Sequence, residues 1–525
     1  MDTFARRIAV DLTGRTKWSE GKGPAGFSGR DHIDLLADML FKPRKMFDQE
    51  LIPIDRKKLK SELGLDPDQR FFAPADLMLN DQLHQFSSVL QGKMQRDPKY
   101  RPSTDERTVM DAQNQITAMS AFIAGKPLAI VPAEGSDTFS AVVVGGSDSG
   151  HNSNAVDQAL LAMQTAYLNN GDMNPSVDRL ITALNSEIQH TQSVQSKVAM
   201  ELLYNEHNPW RKAAIATVLA LLLLTARWIT RSKYMTILLG LAILWALAEQ
   251  TFGLWLRVSI LDRAPVSNTY EALLWMGIVA VIIGVIGQLL QPKSWYLAAG
   301  LTASVLSILF AMLVPLADQT NSLPAVLRSN YWLVVHVLTI VASYGALLLA
   351  AVLAHVYLFK EVFLRKPSEQ SNRIIVQIYR VMQIGVILLT AGTILGGVWA
   401  ADSWGRFWGW DPKETWSLIS IIVYFALLHA RYVKWIQDFG LAVSAIVGFL
   451  AIVWTFYGVN YVMASGLHSY GFGSGGERWV AIWAIAEIIF IAICFSHKER
   501  SLMNKNRSKS TTNKASFTGV PMHSE

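Results

Sequence analysis

Two patterns of hydrophobic positions divide the chain near residue 209. Beyond that point, apolar residues run for about 18–22 positions at a time, enough for a helix to cross the hydrocarbon core of a bilayer. These runs exclude a soluble protein and predict an all-α polytopic membrane protein. About nine transmembrane helices are predicted, near residues 211–227, 235–256, 272–290, 295–315, 332–358, 379–400, 416–430, 440–463 and 479–496.

The first 209 residues lack such runs and predict a mixed α/β domain. Helical periodicity covers residues 75–92, 104–124, 156–169 and 176–204, and short strand patterns occur at 128–132 and 139–144. Histidines are scattered through this part, and no catalytic signature accompanies them. We therefore expect three parts: a domain at 1–209, a membrane bundle at 210–500 that contains a tryptophan-rich loop at 399–416, and a basic tail at 501–525.

Charge is distributed unevenly between these parts. Of the 47 Lys+Arg and 41 Asp+Glu residues, 22 and 27 lie in residues 1–209, which leaves a balance of +11 for residues 210–525. Most of the basic residues beyond 209 fall in alternate connections and in the tail. Because cytoplasmic loops collect Lys and Arg, this pattern puts the C-terminus in the cytoplasm and the first domain outside. The basic balance thus indicates topology rather than a nucleic-acid partner.

The outside placement of the first domain conflicts with the start of the chain. Residues 1–10, MDTFARRIAV, carry charges where a signal peptide needs an apolar core. Two explanations are open: one span is misassigned and the domain is cytoplasmic, or upstream membrane segments are missing or supplied by another chain. The charge asymmetry holds across all the later loops, so we expect the second.

Aromatic residues are concentrated between the sixth and seventh spans. Five tryptophans and Phe407 occur within residues 399–416. An interfacial aromatic belt is one interpretation, but a belt needs only a few aromatic residues at each helix end. Flat rings separated by glycines instead predict a platform for a flat apolar ligand, with Arg406 and Lys413 available to pair with its carboxylates. Haem has this chemistry. The other candidate binding residues are Trp404, Trp408, Trp410 and Asp411.

The end of this segment predicts where the seventh span begins. In the run Asp411-Pro412-Lys413-Glu414, Asp411 has the position of an N-cap and Glu414 that of the third helical residue. We expect this cap to fix the tryptophan loop against the helix that follows.

Four histidines lie near the ends of the predicted spans, two at the outer side of the membrane with the tryptophan loop and two at the inner side. His336, near the outer end of the fifth span, and His468, after the eighth, share the side of the loop and favour axial ligation of a haem iron. His429 lies at the inner end of the seventh span and is a candidate ligand of a deeper haem. His355 lies 19 residues after His336, about 28 Å along a helix. It is either the partner of His429 or an interfacial anchor.

At these residues the chain resembles the CcsA/ResC family of cytochrome c biogenesis proteins, within the haem-handling group marked by a WWD domain. The resemblance spans about residues 230–500. It is carried mainly by WGRFWGWDPKETW at 404–416, with RAPVSNTYE at 263–271, His336, LHAR at 428–431 and GLHSYGF at 466–472. Residues 24–209 more weakly resemble the outer domain of the partner protein CcsB/ResB.

The resemblance implies a haem transporter and System II holocytochrome c synthase in a bacterial inner membrane. Haem b would enter from the inner face, reach the tryptophan loop, and be attached to the two CxxCH thiols of an apocytochrome c. His336 and His468 match the family's outer ligands, and His429 matches one of its two membrane-embedded histidines. The other histidine normally lies in a span of the partner portion, so a CcsB/ResB-like partner is expected.

Two other functions stay open at this point. A haem exporter or chaperone would use the same ligands without forming a covalent bond. A bis-histidine cytochrome b would pair histidines on facing helices and would have no role for the tryptophan loop. The single cysteine, Cys494, excludes an internal disulfide or CxxC pair, so reduction of the apocytochrome thiols implies a separate thioredoxin-like reductant.

Overall fold

The structure is a computed structural model with two compact units, Met1–Leu202 and Leu203–Glu525. The residues that it describes are 5, 8–9, 32–96, 100, 102–123, 128–132, 139–142, 154–188, 192–264, 266–292, 295–313, 330–364, 369–463 and 477–517.

The first unit is mostly helical in its described part. Its elements are α1 (His32–Phe41), α2 (Pro43–Phe47), β1 (Ile52–Pro53), α3 (Lys57–Glu62), β2 (Phe71–Phe72), α4 (Pro74–Met78), α5 (Asp81–Arg96), α6 (Thr104–Ile123), β3 (Leu128–Pro132), β4 (Phe139–Val142), α7 (Asn154–Leu168) and α8 (Asn174–Ile188), followed by α9 (Gln192–His207). Strands β1 and β2 form one antiparallel pair, and β3 and β4 form another. With strands this short and few, the mixed α/β domain stays a prediction.

Helices α5 and α6 of this unit are joined by a carboxylate. Glu106, in the first turn of α6, is buried and accepts hydrogen bonds from the Ser103 backbone N–H (2.7 Å), the Lys93 ammonium (2.9 Å) and the Tyr100 hydroxyl (2.8 Å). These donors favour the ionised form, so the Ser103 N–H, and after it Lys93, lower the pKa of Glu106 to about 2.

The second unit is a helical bundle. Its elements are α10 (Pro209–Thr230), α11 (Lys233–Leu261), α12 (Thr269–Leu290), α13 (Tyr296–Leu313), α14 (Asn330–Leu358), a π-helical turn (Phe359–Phe363), α15 (Glu369–Trp404), α16 (Pro412–Tyr432), α17 (Asp438–Val453), a longer π-helix (Trp454–Met463) and α18 (Glu477–Phe517). The segment Trp454–Met463 is called the π-helix below.

Among the described residues, eight helical segments are long and apolar enough to cross a membrane. The predicted span at 295–315 corresponds to a shorter apolar helix, Tyr296–Met312. The expectation of about nine spans is therefore met by eight long segments and one short helix. The predicted all-α polytopic fold is confirmed, and the chain is a multi-pass membrane protein.

Side-chain caps define where the membrane helices begin. Asn208, Ser232 and Asn268 accept hydrogen bonds from backbone N–H groups in the first turns of α10, α11 and α12. Such caps supply partners that a helix start otherwise lacks. Helix α14 is the central element, because 72% of its most apolar window is buried, against 6% for α18.

A buried ion pair joins α11 to α12 at the end where the RAPVSNTYE segment lies. The Arg257 guanidinium donates to Glu271 Oε1 from Nε (3.1 Å) and Nη2 (2.8 Å). The Ser267 backbone N–H donates to Glu271 Oε2 (2.8 Å), and both charged side chains are almost fully enclosed. Because an unpaired charge here would be costly, this pair fixes the start of α12.

Replacing Glu106 with glutamine should destabilise the α5–α6 region at pH 7 by about 1.5 kcal/mol, since the hydrogen bonds to a charged acceptor are weakened. Because the pKa of Glu106 is lower in the folded chain than in the unfolded chain, its ionised form stabilises the fold at pH values above about 4.5. This contribution is lost as the pH falls from about 4.5 towards 2. Amide hydrogen exchange of residues 93–111 in the full chain, variant against unaltered protein at each pH, measures this. The difference should shrink on acidification; a constant difference would contradict the electrostatic origin.

Candidate functional site

The tryptophan loop connects α15 to α16 and folds back on α15. Trp399 is buried on α15, and its ring lies edge-on to that of Trp404, with ring centroids 4.9 Å apart. Phe407 packs against Gly397, where a Cβ atom would come within 2.6 Å of the Phe407 ring. Trp399, Trp404 and Phe407 thus form an aromatic surface at the end of α15.

His336 on α14 meets this surface. Its ring is nearly parallel to that of Trp399, at 10° and 6.2 Å between centroids. Its Nδ1 lies 2.7 Å from the carbonyl oxygen of Gly392. Gly396 allows the close approach, because a Cβ there would lie 2.6 Å from the imidazole.

The Gly392 carbonyl determines what His336 can bind. A carbonyl oxygen only accepts, so Nδ1 carries the proton and the lone pair of the neutral ring lies on Nε2. Histidines that ligate a metal commonly donate the other ring N–H in this way, to a backbone carbonyl or a carboxylate. The environment of His336 therefore fits an axial ligand of haem iron.

Trp410 has an unusual backbone conformation. Its φ is +57°, in the left-handed region that a bulky residue rarely adopts, and its side chain is 70% exposed. The Glu414 carboxylate brackets it: Glu414 Oε2 accepts the backbone N–H of Gly409 (2.7 Å) and that of Asp411 (3.2 Å). The two flanking N–H groups converge on one oxygen, and the ring between them is held outward, edge-on to Trp408.

The predicted helix start is confirmed. Asp411 is buried, its side chain accepts the Lys413 backbone N–H (2.9 Å), and together with Glu414 it forms a capping box at the start of α16. Glu414 thus caps the helix and braces Trp410 with the same carboxylate. The sequence predicts the cap, but the brace was missed because it depends on the loop conformation.

One of the two basic residues of the loop, Lys413, contacts the protein rather than facing a ligand site. Lys413 Nζ donates to the Phe456 carbonyl oxygen (3.1 Å) and to Asn460 Oδ1 (2.9 Å), both in the π-helix. We expected Lys413 to pair with ligand carboxylates, but in the structure its ammonium bonds these two protein oxygens. The Arg406 guanidinium lies over Gly409, where an added Cβ would clash with it. Its predicted role in binding stays a prediction.

The two inner histidines have different surroundings. His429 is exposed on α16, and its ring contacts that of Tyr432, 6.4 Å away between centroids. His355 has both ring nitrogens engaged: Nδ1 lies 2.8 Å from the Ala351 carbonyl oxygen, and Nε2 lies 2.8 Å from Glu487 Oε2 on α18. The structure therefore favours an anchoring role for His355.

Glu487 was not identified from the sequence. Its signal was a lone carboxylate in the middle of the ninth apolar run, which marks a candidate functional or paired residue by itself. His468, the other predicted outer ligand, and the GLHSYGF segment lie outside the described residues.

Replacing Trp410 with glycine should give a more stable chain than replacing it with alanine, by about 1 kcal/mol, because only glycine adopts positive φ without steric cost. Thermal unfolding in detergent measures the difference. The same pair of substitutions at Phe407, whose φ is not positive, is the control and should show glycine as the less stable. Equal stability of the two Trp410 variants would show that no backbone strain is stored there.

The second unit matches known proteins in sequence. The model of the cytochrome c assembly protein family matches residues 266–468. Protein NrfI of Wolinella succinogenes is 37% identical over 234 residues, which are 43% of this chain but only 25% of that protein. The solved structure of the cytochrome c heme lyase CcmF has a TM-score of 0.38 and 15% identity, and the match covers 56% of this chain and 50% of that one.

A shorter relative is matched almost completely. The cytochrome c biogenesis protein CcsA of Parasynechococcus marenigrum (strain WH8102) is 34% identical over 293 residues, 49% of this chain and 94% of that protein. The chain thus spans nearly all of CcsA and about a quarter of NrfI. It belongs to the CcsA family of cytochrome c biogenesis proteins.

Proposed function

We propose that this chain presents haem b at the outer face of a bacterial inner membrane and attaches it covalently to the CxxCH thiols of apocytochrome c, together with a CcsB/ResB-like membrane partner. The observation that carries the proposal is the setting of His336. Its Nδ1 proton is committed to the Gly392 carbonyl and its ring is parallel to Trp399, so a lone pair on Nε2 is held beside an aromatic surface.

The tryptophan loop supplies the remaining features of a haem site. Haem is a large flat π-system, and aromatic side chains pack against such systems face-on or edge-on. Trp410 is held outward by the Glu414 brace and offers an exposed ring. In this proposal Trp404, Trp408 and Trp410 line the haem, Asp411 fixes the loop on α16, and Arg406 meets a propionate.

The attachment of haem to the thiols mainly requires that the reacting groups are held in the correct position. Each thiol adds across a vinyl group: a carbon–sulfur bond forms, and the thiol hydrogen is transferred to the other vinyl carbon, so the addition involves no net oxidation. Holding haem by His336 and His468 with its vinyl groups facing the thiols raises their effective concentration. The thiols must arrive reduced. Cys494 is the one cysteine of the chain and is buried, so a separate thioredoxin-like protein supplies the electrons.

Delivery of haem involves the inner histidine. We assign His429 to the deeper haem because it is exposed on α16, whereas His355 is engaged by Glu487. The second ligand of that haem comes from a span of the partner. In this orientation residues 1–209 form a CcsB/ResB-like domain outside, the tryptophan loop lies on the same side, and the tail at 501–525 is cytoplasmic.

Co-expression tests the function. The chain, its CcsB/ResB-like partner and an apocytochrome c are produced in a host without its own maturation system, and covalent haem is detected on a denaturing gel. Covalent product supports the synthase. Purified complex that contains haem but yields no covalent product would refute it and identify a haem exporter or chaperone instead.

Replacing both His336 and His468 with alanine should reduce covalent attachment to background, because both axial ligands at the outer face are lost. The gel assay above measures it, with protein amounts matched by immunoblot. His84→Ala is the control, since the His84 side chain is exposed in the first unit, where its Nε2 lies 2.7 Å from the Met78 carbonyl oxygen. Attachment that survives in the double variant would exclude these histidines as the outer ligands.

Replacing His429 with alanine should lower the haem that copurifies with the complex by about tenfold or more, since loss of a ligand should exceed the typical effect of losing an outer-shell partner. Replacing His355 should leave haem content and its absorption spectrum unchanged and loosen only α18. Haem quantified per complex distinguishes these outcomes. An equal loss in both variants would contradict the separate roles given to the two histidines.

A further inference from the structure

The π-helix is an uncommon element in an informative place. π-helical hydrogen bonding mostly occurs as single turns and is frequent at functional sites. Here it covers ten residues, Trp454–Met463, at the end of the eighth span. In the sequence it ends five residues before His468. Contacts that hold the π-helix in place therefore also fix Met463, the residue from which the chain continues to His468, the second proposed outer ligand.

Helix α16 holds one side of the π-helix. Lys413 Nζ donates to the Phe456 carbonyl oxygen and to Asn460 Oδ1, one turn apart. Further along the same face of α16, the Trp416 carbonyl oxygen lies 3.1 Å from the hydroxyl oxygen of Thr455 in the π-helix, which also lies 2.9 Å from the Ala451 carbonyl oxygen.

The contact continues one turn further into the membrane. Ser420 Oγ lies 2.8 Å from Thr455 Oγ1, and both side chains are fully buried. Residues 413, 416 and 420 are spaced to lie on one face of a helix, so the first two turns of α16 are joined to the π-helix.

Helix α12 holds another side. The Tyr461 hydroxyl donates to Thr269 Oγ1 (3.1 Å), in the first turn of α12. Tyr461 also stacks on Tyr457, with ring centroids 4.6 Å apart. The start of α12 is itself fixed by the Arg257–Glu271 pair. The π-helix is therefore held between the helix that follows the tryptophan loop and the helix that follows the RAPVSNTYE segment.

Lys413 differs from the other contacts in its chemistry. An ammonium group has three N–H donors. The two oxygens that accept hydrogen bonds from Lys413 Nζ, those of the Phe456 carbonyl and the Asn460 amide, are neutral. Its ring contact, to Phe456 at 6.0 Å, is also in the π-helix. The hydrogen bonds and the ring contact of the Lys413 ammonium thus lie in one segment, although the residue follows Asp411-Pro412 in the cap of α16.

We propose that Lys413 is a positioning residue that joins the tryptophan loop to the π-helix and thereby sets where the chain leaves the membrane towards His468. This inference rests on the proposed function, because it acts through His468 as the second outer ligand. Lys413 does not touch haem in this proposal. It fixes the π-helix relative to the tryptophan loop.

Two measurements on the full chain test the role of Lys413. The first, amide hydrogen exchange of residues 454–463, needs no haem. Lys413→Met should raise the exchange rate about tenfold, as expected when a charged hydrogen-bond donor is lost. Lys413→Arg should largely restore it, because a guanidinium can donate to both oxygens. Asn460→Ala, which leaves Lys413 in place, should change exchange in the same direction as Lys413→Met.

The second measurement is the absorption spectrum of bound haem in the complex with its partner. Lys413→Met should shift the spectrum towards that of His468→Ala, and it should add nothing in a chain that already carries His468→Ala. Lys498→Met is the matched control: Lys498 lies on α18, and its ammonium is 4.0 Å from the centroid of the Phe439 ring on α17.

The outcomes separate this inference from the proposed function. Unaltered exchange in Lys413→Met, or a spectral effect that persists in the His468→Ala background, would overturn the role of Lys413. Absence of haem from the unaltered complex would refute the proposed function instead, and the exchange measurement would still decide whether Lys413 holds the π-helix.

Discussion

The geometry of this protein depends on one constraint: inside a bilayer every backbone N–H and C=O must be bonded within the protein. Helices satisfy it along their length, so the chain departs from regular helix mainly near helix ends. The tryptophan loop occupies such an end, and the π-helix is a second departure that keeps its backbone bonded. The side chains of the candidate site therefore lie close to the starts of α14 and α16 and the ends of α15 and α17.

Polar side chains then determine the shape of those ends. Glu414 caps α16 and at the same time takes the two N–H groups that flank Trp410. Lys413, the residue before it, bonds the π-helix. Two adjacent residues of one helical turn thus control two different segments, so a single rigid α16 relates the exposed ring of Trp410 to the start of the segment that leads to His468. Strain at Trp410 persists because both of its neighbours are bonded.

Much of this could be predicted from the sequence, because it is local. The apolar runs, the N-cap at Asp411 and the aromatic loop depend on residues a few positions apart. The Glu414 brace was missed although it is local, because it depends on the loop conformation. Two other missed contacts join distant residues: Lys413 and Phe456 are 43 apart, and His355 and Glu487 are 132 apart. Such pairs depend on how helices pack. Because a lysine beside an aromatic loop is equally consistent with a ligand carboxylate or a protein carbonyl, composition alone does not decide.

His336 and His355 show the same point on a single helix. Both donate from Nδ1 to a backbone carbonyl oxygen, since a carbonyl only accepts. They differ in the side chains that surround the rest of the ring. For His355, Nε2 and Glu487 share a single proton, which leaves the pair neutral overall whichever of the two carries it. A neutral pair costs far less in a membrane than a lone charge. To ligate iron, His355 would have to give up that bond and leave Glu487 without it.

His336 instead has its ring nearly parallel to Trp399, beside the loop where a flat ligand would lie. Their different partners, rather than their positions in the sequence, are the reason why we propose one imidazole as a haem ligand and the other as a link between α14 and α18.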